Sequence, residues 1–457
     1  MKHPRLLTRP VVLVVLLPAM LGAGVPAAAA RPTAAPNALT EPTSLAVAAA
    51  ASPATGHLFI LSQDYQTPTQ FASAVSMLDA RTGQILHVTR GVGRFARGLL
   101  VDDASHHLFV IMGGVFPNGG ASEPLRVLIL DTRTGVTQRT VDLGPGALQG
   151  TWVAGRLGQL AVALTPGVGA SATGPGVIHI LDTKTGATVH TLPYPRGDTE
   201  FATHQATATL CVVNTTSSTV RLYDTHTWQL KATVHLEQPW ASVTGIVADE
   251  AHGTVAMVTG KQTSITFVRA ATGAVVRTLQ LKNASPIVNL VVDDQTGHLF
   301  AISVGTATKQ ESVTDQSVTI VGGQDGVVTT VDRATGTVLR SQPLGWVAWR
   351  AAVDARTQHL FVVSYGRVGT RTGRVTITST LVNMLDTRTG ALIRATTIPF
   401  APDPESHDLV VDAQAGRAYF TSVPYLWQGK EVDNTVMLLD TRTGAVVRTV
   451  VLPEPAA

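Results

Sequence analysis

Short apolar stretches, each followed by a polar turn, repeat along almost the whole chain. In the segments 99–111, 290–302, 351–363 and 409–421, two runs of mainly apolar residues flank a turn that begins with Asp. Short β-branched and aromatic runs separated by turn residues predict β-hairpins. Because the turns are dense, no long helix is expected, and the pattern predicts an all-β protein.

A second hairpin turn repeats with a nearly fixed sequence. The motif Asp-Thr-Arg-Thr-Gly is intact in three copies, slightly altered in three and degenerate in two. The copies begin at Asp131, Asp386 and Asp440, at Asp79, Asp182 and Asp332, and at Asp224 and Arg269. The Asp side chain can accept hydrogen bonds from the turn backbone, and Gly accepts a positive φ. We therefore expect these glycines to have positive φ angles.

Together the two hairpins define a unit of four antiparallel strands, A to D, that recurs every 42 to 63 residues. Such a period is typical of a β-propeller blade. The expected blades are 42–92, 97–145, 150–194, 201–237, 243–282, 287–343, 349–400 and 407–453. Eight blades are predicted, or seven if the degenerate copy at Arg269 belongs to a displaced unit. Since the first and last units both read in A-to-D order, closure should rest on packing between blades one and eight.

The repeat resembles the YVTN-type β-propeller family, which is common in exported bacterial and archaeal proteins. The closest stretch is Cys211-Val212-Val213-Asn214, followed by TVRLYDTHT at 219–227. This resemblance spans nearly the whole chain after the N-terminal region and implies the propeller fold. Its motifs are structural turns and strands, so it says little about activity.

The N-terminal region has the order of a secretory signal peptide. A basic segment, 1–10, precedes the apolar run 11–21 and the small residues 22–30. The domains expected are a signal peptide (1–30), a polar lead-in (31–41), the propeller (42–453) and a short tail (454–457). We therefore expect a secreted or extracytoplasmic protein with no membrane span after cleavage. An uncleaved N-terminal anchor is the alternative.

Composition excludes several classes of protein. With 44% hydrophobic residues the chain is not expected to be disordered. Three of the 34 basic residues lie before residue 31, which leaves 31 basic against 31 acidic residues and no case for nucleic-acid binding. The single Cys excludes an intramolecular disulfide and Cys-based metal sites. No cofactor is predicted.

Repeated His and Asp residues invite a metal interpretation, but their positions favour structural roles. Each His copy opens strand B of a different blade, so the copies should lie far apart and flank turns; they are His57, His107, His298 and His359. The pairs Asp102-Asp103 and Asp293-Asp294 are expected to cap turns. The basic residues four positions after the turn Gly, such as Arg394 and Arg448, are expected to protect the outer edge strand.

Enzyme templates are missing from the sequence. No Gly-x-Ser-x-Gly, His-Glu-x-x-His or phosphate-binding Gly-x-x-x-x-Gly-Lys motif is present. Quinoprotein dehydrogenases have a similar repeat, but theirs continues to a Trp that no copy has here, and they use a vicinal Cys pair. We therefore do not predict that activity.

The candidate site lies on the face that carries the B–C and D–A connections. B–C connections are long in blades one, two, three, six, seven and eight and short in blades four and five, and function on repeat scaffolds tends to sit where insertions cluster. The longest connection, 305–326, is expected to be an irregular loop. The starts of the A strands should line the central channel there, and their non-repeating residues are Arg97, Trp152, His204, Trp240, Asn289, Trp349, Arg350, His407 and Asp408.

These residues suit a ligand such as a sugar or peptide, or they only pack blades and line a solvated pore. The favoured function is a non-catalytic, monomeric scaffold that binds a protein, a cell-envelope component or a small ligand through this face. The alternative is a propeller-type lactonase or lyase that uses polar residues such as His204, Arg350, His407 and Asp408.

Overall fold

Each predicted unit folds into a four-stranded antiparallel sheet in the computed structural model. The residues described are 44–67, 70–93, 96–114, 123–165, 174–194, 199–214, 219–236, 245–260, 262–281, 286–305, 309–314, 317–321, 325–345, 348–369, 374–398, 408–422, 425–427, 430–432 and 434–454. They belong to the compact unit 42–457, whereas the unit 1–41 lies outside them.

Blades one to four take their strands from the chain in order. Blade one contains β1 (Ser44–Ser52), β2 (His57–Thr67), β3 (Gln70–Asp79) and β4 (Ile85–Arg90). Blade two contains β5 (Ala96–Asp102), β6 (His107–Gly114), β7 (Glu123–Asp131) and β8 (Thr137–Gly144). Blade three contains β9 (Ala147–Ala154), β10 (Gln159–Thr165), β11 (Gly176–Asp182) and β12 (Thr188–Tyr194). Blade four contains β13 (Thr199–His204), β14 (Thr209–Asn214), β15 (Thr219–Asp224) and β16 (Leu230–His235).

Blades five to eight follow the same plan, with two inserted hairpins. Blade five contains β17 (Ile246–Asp249), β18 (Thr254–Thr259), β19 (Ser264–Arg269) and β20 (Val275–Gln280). Blade six contains β21 (Ile287–Asp293), β22 (His298–Ser303), β25 (Val327–Asp332) and β26 (Val338–Pro343), with β23 (Lys309–Thr314) and β24 (Ser317–Val321) inserted. Blade seven contains β27 (Ala348–Asp354), β28 (His359–Gly369), β29 (Arg374–Asp386) and β30 (Leu392–Ile398). Blade eight contains β31 (Leu409–Asp412), β32 (Arg417–Ser422), β35 (Thr435–Asp440) and β36 (Val446–Val451), with β33 (Tyr425–Trp427) and β34 (Lys430–Val432) inserted.

The eight sheets form a closed ring. The first strand of each blade contacts the first strands of both neighbouring blades, and β31 contacts β1. The protein is therefore an eight-bladed β-propeller with the A strands innermost, and the seven-blade alternative is excluded. Its one described helical segment is a single 3₁₀ turn, Gly155–Leu157.

The core is divided among the interfaces between blades. Each interface contains its own cluster of buried apolar side chains, because a sheet in the ring buries both of its faces. At the closing interface, Leu58 and Ile60 of blade one pack with Tyr419 and Leu438 of blade eight. Each of these two blades forms its sheet from its own strands, so the prediction of closure by packing is confirmed.

Candidate functional site

The two faces of the ring are built differently. Because the strands alternate in direction, the A–B and C–D turns lie on one face, which we call the turn face. The B–C and D–A connections lie on the other, which we call the loop face. The nearly identical Asp-x-x-x-Gly turns lie on the turn face, whereas the connections on the loop face differ in length from blade to blade.

The Asp-x-x-x-Gly turns are stabilised as the sequence predicts. In blade one, Asp79 Oδ1 accepts hydrogen bonds from the Thr82 hydroxyl (2.7 Å), the Thr82 N–H (2.7 Å) and the Arg81 N–H (3.1 Å). The Thr82 hydroxyl and these N–H groups hold the pKa of Asp79 below its ordinary value. The prediction for the glycines is confirmed, since Gly83 has φ +71° and its counterparts in the other Gly-containing turns are also positive.

The strand-B histidines join neighbouring blades. His57 Nδ1 lies 2.7 Å from the carbonyl oxygen of Thr132, in the C–D turn of the next blade. The same contact recurs from His107 to Thr183, from His298 to Thr387 and from His359 to Thr441. In blade three, the side-chain amide of Gln159 donates the equivalent hydrogen bond to the Thr225 carbonyl. We call this contact the blade latch. The histidines are thus separated around the ring, as predicted, but they bond across interfaces rather than only flanking turns.

The strand-D arginines also contact the following blade. Arg394 donates a hydrogen bond to the Thr443 carbonyl (3.3 Å), and Arg448 donates one to the Thr82 carbonyl (2.9 Å). The sequence predicted that these cations protect an outer edge. Their side chains instead lie on the neighbouring C–D turn, where a carbonyl oxygen accepts from the guanidinium. The turn face is therefore largely occupied by structural contacts.

Extended or inserted hairpins lengthen the loop face in several blades. In blade one, β2 and β3 form a hairpin of 11 and 10 residues, and in blade seven β28 and β29 have 11 and 13 residues. Blade eight adds the hairpin β33–β34. The B–C connections of blades four and five are short, since only residues 215–218 and 260–263 join their B and C strands. The described hairpins that lengthen the loop face thus belong to blades six, seven, eight and one.

The connection 305–326 corrects one expectation. It is not an irregular loop, because residues 309–314 and 317–321 form the strands β23 and β24. β24 pairs antiparallel with residues 374–377 of β29, so the hairpin from blade six extends the sheet of blade seven. Pairing between two blades cannot be read from the sequence of either one alone.

A β-bulge recurs in the A strands where they reach the loop face. One extra residue interrupts the register with strand B in blades one, two, three, six and seven. The residues at the bulge are Val47, Arg97, Gln149, Val288 and the pair Trp349-Arg350. Bulges redirect a side chain and are frequent beside functional sites. This recurring backbone irregularity places a Val in blades one and six and Arg97, Gln149 or the pair Trp349-Arg350 in blades two, three and seven.

Several of the predicted site residues lie at this channel mouth. Arg97 and Arg350 are exposed, and Asn289 is half-buried near the start of β21. A Cβ added at the next residue, Gly98, would meet no atom within 4 Å. Trp349 lies on β27 at the bulge. Trp240 and His407 lie outside the described residues.

Asp408 has a structural role at the same mouth. Its Oδ2 accepts a hydrogen bond from the Ala49 N–H (2.9 Å) in blade one, and its Oδ1 accepts one from the Leu409 N–H (3.0 Å). Asp408 therefore helps to close the ring between blades eight and one.

Two predicted site residues are not at the channel mouth. His204 is the last residue of β13, fully buried at the turn face, with Nδ1 2.9 Å from the Thr207 hydroxyl. Trp152 is the sixth residue of β9 and packs on the apolar cluster between blades three and four. The error arose because both A strands begin earlier than predicted, at Ala147 and Thr199.

Two residues at the mouth were missed. Gln149 occupies the bulge of blade three, with its amide folded toward the Leu148 carbonyl (3.3 Å), and Glu200 is exposed near the start of β13. Counting back from the A–B turn would have found Gln149, because the bulge lies at a nearly constant distance from that turn. The register of β13 is unbroken, so no such signal marks Glu200.

Within the described residues, no group of three or more His, Cys, Asp or Glu side chains is placed to hold a metal ion. In the same part of the chain, no helix is long and apolar enough to cross a membrane.

Comparison with known proteins supports the fold. No protein-family model matches the sequence, and no curated protein matches it either. Among solved structures, the chain is similar to the computationally designed Ika8 protein, with a TM-score of 0.53 and 15% sequence identity. The alignment covers 89% of this chain and 96% of that one. At this identity the similarity shows the shared fold alone.

Proposed function

We propose that this protein is an exported, non-catalytic propeller of the YVTN-repeat type that binds its partner at the channel mouth of the loop face. The partner is a protein, a cell-envelope component or a small ligand. The N-terminal pattern of basic, apolar and small residues supports export. The turn face is bonded blade to blade, which leaves the loop face as the variable surface.

The recurring bulge is the observation that carries this proposal. Its backbone irregularity is repeated in five blades, yet the residues that it presents differ in size and charge. Val47 and Val288 pack on the apolar clusters of their interfaces, but packing alone does not explain why three other blades place Arg97, Gln149 and the pair Trp349-Arg350 at this position. Arg97, Glu200 and Arg350 are exposed charged residues near the loop-face ends of three A strands. Convergent polar groups in a concave site are typical of ligand binding.

The lactonase or lyase alternative loses support from the geometry. His204 lies at the opposite end of its strand from the mouth. The carboxylate of Asp408 accepts two backbone hydrogen bonds, so its orientation is fixed by ring closure. Arg350 is thus left without two of the groups that would have acted with it.

The binding proposal is tested by thermal shift with a panel of neutral oligosaccharides, acidic oligosaccharides, peptidoglycan fragments and short peptides. We compare the wild type with the double variant Arg97→Ala/Arg350→Ala. The matched control, Arg133→Ala/Arg442→Ala, removes two exposed arginines from the turn face. We expect a probe to raise the melting temperature of the wild type and the control but not of the mouth variant.

Equal shifts in all three proteins would place the site elsewhere, and no shift with any probe would count against ligand binding. Export is tested separately by the mass of the protein recovered outside the cytoplasm. We expect a chain that lacks approximately the first 30 residues, and recovery of a full-length cytoplasmic protein would contradict export.

A further inference from the structure

Blade five is joined to its neighbours by a different chemistry from the other blades. At five interfaces, the first residue of strand B donates the blade-latch hydrogen bond to a turn carbonyl of the next blade. These are the interfaces between blades one and two, two and three, three and four, six and seven, and seven and eight. At the interface between blades eight and one, the Arg417 guanidinium donates a hydrogen bond to the Arg81 carbonyl, and the Tyr419 hydroxyl donates one to the Ala80 carbonyl. The corresponding first residues in blades four and five are Thr209 and Thr254, whose side chains are too short to span the interface.

At the interface between blades four and five, a carboxylate replaces the latch. Glu250 Oε1 accepts a hydrogen bond from the Gln205 N–H (2.6 Å), and Oε2 accepts one from the Ala206 N–H (3.1 Å). The imidazole Nε2 of the buried His204 lies 3.7 Å from Glu250 Oε2. All three contacts link the A–B turn of blade four to that of blade five.

At the interface between blades five and six, the contact is an ion pair. The buried Arg333 lies in the C–D turn of blade six, and its Nη1 is 2.7 Å from Asp249 Oδ1 in blade five. The same atom is 2.8 Å from Asp294 Oδ1, and His252 Nδ1 is 2.9 Å from Asp249 Oδ2. Arg277 also reaches this turn and donates to the Arg333 carbonyl. These are the charged groups described around the Asp249 carboxylate.

The two kinds of contact respond differently to acid. A His that donates from Nδ1–H to a carbonyl can do so as imidazole or imidazolium, and the Gln, Tyr and Arg donors also keep their hydrogens. A carboxylate that becomes protonated loses its charge, and hydrogen bonds to charged groups are the stronger ones. At the turn face, acid should therefore weaken the two interfaces of blade five and leave the latches of the other interfaces intact. Between blades eight and one, the Asp408 carboxylate that accepts the Ala49 N–H lies at the loop face, away from the turn-face contacts.

We propose that blade five is the acid-sensitive opening point of the ring. Without its charge, Glu250 would accept the two N–H groups of blade four less strongly. Without the charge of Asp249, buried Arg333 would keep only Asp294, of its own blade, as a carboxylate partner. The C–D turn of blade five adds to this weakness, because Arg269 replaces the Asp that accepts turn N–H groups elsewhere. The result is local opening at the turn face, with the apolar clusters on either side still buried.

Hydrogen–deuterium exchange with mass spectrometry tests this proposal on the full chain. Protection is compared between pH 7 and about pH 4, a range in which carboxylates titrate, after correction for the intrinsic exchange rate. We expect the protection factors of peptides within 246–280 to fall on the order of tenfold further than those of peptides from blades two and seven. The loss of charged hydrogen bonds implies a change of this size.

Two variants separate this effect from general acid sensitivity. Glu250→Gln mimics the protonated group and should show the acid pattern in blade five already at pH 7. Asp103→Asn is the control, because Asp103 has the equivalent turn position in blade two and accepts the Ser52 hydroxyl (2.5 Å) across an interface that keeps its His57 latch. We expect almost no local change in this control.

An acid response spread evenly over the blades would overturn the proposal. So would a wild-type response in which blade five is the better protected blade. Because the wild-type comparison needs no substitution, it decides the question even if Glu250→Gln does not fold.

Discussion

The imidazole Nδ1 of His107 lies 2.6 Å from the carbonyl oxygen of Thr183, although the two residues belong to different blades. A carbonyl only accepts hydrogen bonds, so Nδ1 carries the hydrogen. His107 is itself buried, and its ring meets Phe109 edge to face. One side chain thus connects strand B of blade two to the turn of blade three.

Replacing His107 tests the energetic value of this latch. His107→Ala should lower the free energy of unfolding by about 1–3 kcal/mol, because it leaves a carbonyl without its partner. His107→Gln should cost less, since Gln159 makes the same contact in blade three at 3.2 Å. Urea denaturation followed by fluorescence measures both. His226→Ala, at an exposed turn position, is the control; equal losses in the Ala and Gln variants would contradict the latch.

Two glycines separate the effect of backbone conformation from that of packing. Gly56 and Gly390 have φ angles of +70° and +66°, but a Cβ at Gly56 would meet no atom within 4 Å. A Cβ at Gly390 would overlap the hydroxyl of Thr330 in the neighbouring blade. We expect Gly56→Ala to cost about 1 kcal/mol of stability and Gly390→Ala clearly more. Thermal melts of the two variants, if equal, would show that the C–D turn has room for a side chain.

Gln358 offers a stabilising substitution. It has a φ of +59° at the A–B turn position where Gly297 and Gly416 stand in the adjacent blades. Gln358→Gly should raise the free energy of unfolding by roughly 0.5–1 kcal/mol, because the relief of left-handed strain exceeds the entropy that Gly adds to the unfolded chain. The neighbouring Thr357→Gly should destabilise. A lower denaturation midpoint for Gln358→Gly would count against this account.

The turn aspartates should make stability depend on pH. The Thr82 hydroxyl and the turn N–H groups lower the pKa of Asp79 in the folded protein. A group with a depressed folded pKa stabilises the protein above its unfolded pKa, and this contribution is lost as the pH falls through the folded value. Asp79→Asn should therefore be less stable than the wild type at pH 7, with a difference that shrinks below the ordinary value of 3.8. Denaturation curves at several pH values check this, and a constant difference would refute it.

Cys211 should be unreactive in the folded protein. It is completely buried on β14, and burial raises the pKa of its thiol, so little thiolate forms. We expect no labelling by iodoacetamide under native conditions and full labelling in urea. Val447→Cys, at a position 51% exposed, is the positive control and should label at once. Native labelling of Cys211 would indicate that the blade opens readily.

The sequence alone determined the features that depend on a few neighbouring residues. The turn at Asp79 closes through Thr82 and Gly83, all within five positions, so the motif predicts it wherever it recurs. Eight such motifs at a blade-length spacing then predicted eight blades. Closure by packing followed from the strand order at the two ends of the repeat.

Only the tertiary structure decided which residues meet across blades. His107 and Thr183 are 76 positions apart, and Ala49 and Asp408 are 359 apart. Their contacts depend on how neighbouring sheets are oriented, which no local pattern encodes. The pairing of β24 with β29 and the location of His204 at the turn face were missed for the same reason: a strand's partners and limits are set by the sheet that it joins. The turns were local and could be predicted, whereas the channel mouth is assembled from eight separate strands.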